Sequence, residues 1–154
     1  MKRYIALLRG INISGKNKMP VAELKAGFAE AGYLNSGNVA FDSDAEDKGS
    51  ISESITVMIK DRFMLDIPVP VILQEELADI LANAPKWWRD DNKEIYDNLV
   101  FIFPSVDYDR LYSALGEPEA EYEKVFNYKN AVFWSFVRKT TARPTGGQRQ
   151  QEKM

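Results

Sequence analysis

The sequence predicts an α+β protein made of tandem ferredoxin-like (split β-α-β) subdomains with mostly antiparallel sheets. Three observations lead there. Two unbroken apolar runs of strand length, residues 4–8 and 99–103, each precede a stretch of helical periodicity. A turn-and-strand return follows each helix. With 154 residues and no cysteine, the chain must hold its core without staples, and a chain of this size buries roughly 68–70% of its unfolded surface. The halves share no residue repeat, so the duplication rests on element order alone.

Taken in order, Tyr4, Ile5, Ala6, Leu7 and Leu8 form the first strand, apolar throughout as a central strand is. A Gly-, Ser- and Asn-rich loop follows over residues 9–18. Pro20 suits a first helical turn, where its missing N–H costs nothing. Val21, Leu24, Phe28 and Ala31 then share one helical face, with Gly32 as the stop. Asn35, Ser36, Gly37 and Asn38 signal a turn into a short strand at Val39, Ala40 and Phe41. Ser50 and Glu53 have capping-box spacing, and Ile51, Ile55, Met58, Ile59 and Phe63 line the helix behind them.

Residues 69–73 read as a strand whose prolines, Pro68 and Pro70, place its start at an unpaired position. Leu77, Ile80, Leu81 and Ala84 mark a third helix, stopped by Pro85. Ser105 is the expected cap of a fourth, with Tyr108, Leu111, Tyr112 and Leu115 on one face. Val125 and Phe126 pair with residues 131–137 through a turn at 127–130. The expected divisions are residues 1–73 and 74–137 for the two subdomains. A polar basic tail, 138–154, with Gly146, Gly147 and three Gln, is expected to be disordered.

Composition narrows the chemistry. Without histidine or cysteine there is no Ser-His-Asp triad, thiolate nucleophile, imidazole site or zinc knuckle. Catalysis would have to use carboxylates, Lys, Tyr or Ser/Thr. The acidic stretch at Asp42, Asp44, Glu46 and Asp47 lacks the calcium-loop pattern, and no metal or cofactor is expected. No apolar stretch reaches a membrane span, and the expected location is the cytoplasm. The net charge of −3 averages unlike segments. Residues 1–41 carry six Lys/Arg against two Asp/Glu, residues 42–123 seven against twenty, and residues 124–154 seven against one. Such segregation points to anionic partners at the basic segments.

The candidate binding segment is Arg9-Gly10-Ile11-Asn12-Ile13-Ser14-Gly15-Lys16-Asn17-Lys18, between a buried strand and a helix. Gly10 and Gly15 let backbone approach a ligand, Arg9 and Lys16 bring charge, and the helix start aims N–H groups at the same space. Gly10, Gly15 and Lys16 have Walker spacing, but Asn17 replaces the magnesium-binding hydroxyl, so the segment is not a phosphate loop of that class. Ser36, Gly37 and Asn38 supply a second polar turn, and Asn12, Asn17 and Asn38 neutral hydrogen-bond partners. Trp87, Trp88 and Arg89 form a third group, suited either to stacking on a base or to packing in the core or between subdomains.

With these motifs in view, the chain resembles the bacterial domain-of-unknown-function 1697 family. The resemblance is carried by residues 6–17, by Leu34-Asn35-Ser36-Gly37-Asn38-Val39, by Pro85-Lys86-Trp87-Trp88 and by Phe133-Trp134. It covers roughly residues 1–137 and implies a duplicated ferredoxin-like architecture without implying an activity. Two departures stand out, as deletions or as residues outside this sequence. Gly32 runs almost directly into Leu34, where relatives have several more residues, and the polar tail does not supply the relatives' further helix and closing strand, hinted at only by Thr141-Ala142-Arg143.

The functional expectation is a binding module for an anionic ligand, a phosphate-bearing small molecule or nucleotide. A nucleic-acid variant would add Trp88, Arg89 and the tail. An enzyme acting on a phosphorylated substrate and a protein-interaction module remain alternatives, and the sequence leaves oligomeric state open.

Overall fold

The first strand, β1 (Lys2–Ala6), buries Tyr4, Ile5 and Ala6, as an apolar run at the centre of a sheet should. The computed structural model to which it belongs describes residues 1–11, 17–28, 32–33 and 37–137. The chain divides into two units, Met1–Ala82 and Asn83–Met154.

In the first unit β1 is followed by α1 (Val21–Gly27), β2 (Gly32–Tyr33), β3 (Val39–Ser43), α2 (Lys48–Phe63), β4 (Val71–Leu73) and α3 (Gln74–Ala82). The sheet order is β2-β3-β1-β4, every neighbouring pair antiparallel, which is the ferredoxin-like path. Register runs Lys2↔Ser43 to Ala6↔Val39 on one side of β1 and Tyr4↔Leu73 to Ala6↔Val71 on the other. Tyr4, Leu24, Val39, Ile59 and Val69 are each 1% exposed or less. Every such apolar side chain contributes about 1.5–3 kcal/mol by leaving water. Phe41 ties them together, with ring centroids 5.8 Å from Tyr4 and 5.3 Å from Phe28. The Tyr4 hydroxyl donates to the Ala45 carbonyl at 2.7 Å, so its polar end is satisfied within the core.

Local chemistry shifted several expected boundaries. α1 ends at Gly27, because Phe28 is extended (φ −114°, ψ 123°), and its ring still reaches the core from outside the helix. Ala31 lies outside the described residues, and Gly32 belongs to β2 rather than stopping α1. α2 is capped by Asp47 and not by Ser50. The Asp47 carboxylate accepts the Ser50 N–H at 2.9 Å and the Ser50 hydroxyl, so Ser50 becomes a donor inside the first turn. Ile51, Ile55 and Ile59 then face the sheet. α3 contacts β1 and β4 and lies in the first unit.

The second unit contains β5 (Ile95–Phe101), α4 (Tyr108–Leu115), β6 (Glu123–Tyr128) and β7 (Ala131–Val137). Its antiparallel sheet has the order β5-β7-β6, the path of β1, β3 and β2 in the first unit. Among the described residues no strand occupies the place beside β5 that β4 takes beside β1. Hence β5 is not the doubly buried strand its apolar run suggests: exposure alternates along it, and Val100 is 39% exposed. The cap of α4 is Asp107, accepting the Asp109 N–H at 2.8 Å, rather than Ser105. The β6–β7 turn is tighter than expected, with Lys129 in the left-handed region (φ 52°). The 138–154 segment lies outside the described residues. No helix among the described residues is long and apolar enough to cross a membrane.

Candidate functional site

Register brings the two glycine-containing motifs of the first unit to one end of its sheet. Because Ala6 at the end of β1 pairs with Val39 at the start of β3, the loop leaving β1 and the turn entering β3 must emerge side by side. The contact is intimate. A Cβ on Gly37 would stand 3.2 Å from both Cγ1 and Cδ1 of Ile11 and 3.8 Å from the Leu8 carbonyl oxygen. Gly37 also has φ +86°, a conformation only glycine adopts freely. β4 enters at the same end, where the Leu7 N–H donates to the Pro70 carbonyl at 2.9 Å.

The loop itself is pegged at both feet. Leu8 and Ile11 are buried on one side, and Met19 is 1% exposed on the other. Between the two pegs of the first foot, Arg9 is exposed and Gly10 turns the chain with φ +70°. Asn17 returns to the same point: its side-chain amide donates to the Gly10 carbonyl at 3.0 Å, and its own backbone is left-handed (φ 47°). This clamp closes the base of the loop. Asn17, expected as a ligand partner, thus has a structural duty as well.

The charge distribution at the two ends of β1 differs. At its start, the terminal amine, Lys2 and Arg3 pair with Asp44, Glu46 and Asp42 at 2.9, 3.2 and 3.2 Å. The acidic stretch after β3 is therefore occupied with these cations and with capping α2. At the far end Arg9 and Lys18 are exposed, and neither forms an ion pair among the described residues. Of the remaining expected site residues, Asn38 is half-buried beside Gly37, while Asn12, Gly15, Lys16 and Ser36 lie outside the described residues.

The expected contribution of the helix start is a poorer fit. α1 has only seven residues, its N-cap is Pro20, and no side chain caps it, so it offers a short dipole and no N-terminal pocket. Sequence reasoning also passed over Ile11, whose contact with Gly37 joins the two motifs. The available signal was an apolar residue inside an otherwise polar loop.

In the second unit, Trp88 packs edge-on against Phe133, with centroids 4.9 Å apart at 81°. Its indole Nε1 is buried with no partner among the described residues. Trp87 is half-buried and lines a hollow with Ile95 and Phe136. Arg89 takes φ 64°, and its N–H donates to Asp97 at 2.7 Å, while the other Asp97 oxygen accepts from the Ser135 hydroxyl. These bonds hold the Trp-Trp-Arg corner onto the sheet, with Trp88 serving the unit's own core.

A family model described as "Protein of unknown function (DUF1697)" matches residues 1–133. The chain is also similar to the solved structure of a conserved bacterial protein from Streptococcus pneumoniae. Identity is 28% with a TM-score of 0.73, over 90% of this chain and 78% of that one. No curated protein matches.

Proposed function

The chain belongs to the DUF1697 family, and from that premise we propose that its first unit binds an anionic, phosphate-bearing small molecule or nucleotide at the loop between β1 and α1. The observation that carries the reading is the approach of Gly37 to Ile11 and Leu8, which sets the polar turn before β3 against a pegged loop whose Arg9 and Lys18 form no ion pair among the described residues. Glycine backbone, exposed guanidinium and ammonium groups, and Asn amides are the donors that phosphate oxygens take. Arg9 suits bidentate contact, Lys16 and Lys18 act as point charges, and Gly10 and Gly15 keep the approach open. Asn12, Ser36 and Asn38 are neutral donors in this reading. A cytoplasmic location, where nucleotides and phosphorylated metabolites are plentiful, completes it.

Calorimetric titration with inorganic phosphate, pyrophosphate and ATP tests the proposal, at low and at raised salt. Saturable binding that weakens about tenfold in Arg9→Ala and in Lys16→Ala is expected, roughly the loss of one charge-assisted hydrogen bond. Absence of binding to all three, or unchanged affinity in both variants, overturns it. Tryptophan emission is a poor reporter here, since Trp87, Trp88 and Trp134 all lie in the second unit.

A further inference from the structure

The two units follow the same β-α-β-β path, yet their first helices behave differently. In the first unit α1 closes on its sheet and takes Leu24 to 1% exposure. In the second, α4 carries Tyr108, Leu111, Tyr112 and Leu115 at i, i+3, i+4 and i+7, an apolar and aromatic stripe, and buries none of them. Leu115 is 77% exposed. Beneath the stripe the sheet presents Val125, Val132 and Trp134 on the same face, since Val125 pairs with Trp134 and Val100 with Val132. Helix and sheet are held apart by a cleft of about 380 Å³. That is a volume typical of small-molecule sites, most of which are apolar with a few polar groups at fixed points.

The charged groups at this cleft are of one sign. Glu117, just past the end of α4, and Glu123, the first residue of β6, both line it. Neither forms an ion pair among the described residues. One oxygen of Glu123 accepts the Glu119 N–H at 3.0 Å, which fixes the carboxylate in place. The walls are aromatic: Tyr108 and Tyr112 lie 5.8 Å apart, and Trp134 backs onto Phe136 at 5.0 Å. Partial burial, and after it the neighbouring Tyr112 and Asp109, hold the Tyr108 hydroxyl above its ordinary range.

We propose that the cleft between α4 and the second sheet binds a small organic cation with an apolar body, an alkylated or aromatic ammonium compound. The aromatic faces of Tyr108, Tyr112 and Trp134 attract a weakly hydrated cation, and Glu117 and Glu123 supply the counter-charge. Leu111 from the helix and Val125 and Val132 from the sheet take the apolar body. An anion of the same shape meets two carboxylates and is rejected.

The test uses three probes with the same six-carbon tail and different heads: hexyltrimethylammonium, 1-hexanol and hexanoate. Binding is read on the full chain by the indole resonance of Trp134, assigned with Trp134→Phe. Saturable shifts with the ammonium, at least about tenfold tighter than with hexanoate, are expected. Glu117→Gln with Glu123→Gln should erase that preference while tail binding and thermal stability persist. No saturable binding, equal affinity for ammonium and hexanoate, or shifts confined to Trp87 and Trp88 overturn the proposal. So does a preference that survives the double substitution.

Discussion

Replacing Gly37 by Ala, beside the same change at Gly10, isolates the contact that joins the two motifs. Both glycines have positive φ, +86° and +70°. Forcing Ala into that region costs about 1–2 kcal/mol in either place. In both, the stiffer unfolded chain returns about 0.4–1 kcal/mol. What differs is the space. A Cβ on Gly10 meets nothing within 4 Å, whereas one on Gly37 meets two Ile11 carbons at 3.2 Å. Ile11 is only 7% exposed and cannot swing into solvent, so it must leave its rotamer, at a further cost of about 0.5–1.5 kcal/mol. Gly10→Ala should therefore destabilise the first unit by about 1 kcal/mol or less, and Gly37→Ala by about 1 kcal/mol more than that. Urea unfolding followed on first-unit amide resonances measures both. Equal losses, or a larger loss at Gly10, would refute the claim that Gly37 is held by Ile11.

Ile59→Ala, at a position with 0% exposure on α2, should cost about 2–5 kcal/mol in the same unfolding assay. Met64→Gly should stabilise the chain by about 0.5 kcal/mol. Met64 follows α2 in the left-handed region (φ 55°) with an 86% exposed side chain, so glycine relieves strain and loses little packing. Asp47 imparts a pH dependence. The Ser50 hydroxyl, and after it the Ser50 N–H, hold its carboxyl below the ordinary carboxylate range. Its contribution is thus complete above about pH 4 and is lost as pH falls through the lowered value. Asp47→Asn, which still caps but does not titrate, should flatten the acid limb of stability measured from about pH 2 to pH 7, and an unchanged slope would count against the cap.

Periodicity found the longer elements, passed over β2, and missed what ends and covers the rest. Val21, Leu24 and Phe28 have helical spacing, but Val21 is exposed and Leu24 alone is buried within α1. Yet Phe28 reaches the core from an extended residue, because the turn after a short helix still faces the sheet it left. Ser50 and Glu53 satisfy a capping-box pattern, but Asp47 stands one turn earlier with a stronger acceptor, and Ser50 serves it. The run at 99–103 says that a strand favours burial. It does not say whether anything lies beside it, and Val100 shows the result. The meeting of Gly37 with Ile11 is a consequence of strand register, which spacing within either motif does not encode.

Charge counts misled in a similar way, and the reason bears on both proposals. The basic excess of residues 1–41 looks like one patch, but half of its six Lys/Arg reside at Lys2, Arg3 and Lys25, of which the first two face the acidic stretch at 42–46. Those pairs are well exposed, 45% or more at every partner, and contribute little to stability. Their effect is on recognition, because a paired cation offers an anion less. What is left for a phosphate among the described residues is the far end of β1, with Arg9 and Lys18. The acidic middle resolves the same way: Asp42, Glu46 and Asp47 are engaged, whereas Glu117 and Glu123 border an aromatic cleft with no cation beside them among the described residues. The chain thereby carries two candidate sites of opposite preference, one in each unit. Raised salt should weaken phosphate binding strongly and ammonium binding less, since the second site also buries an apolar body that screening does not touch.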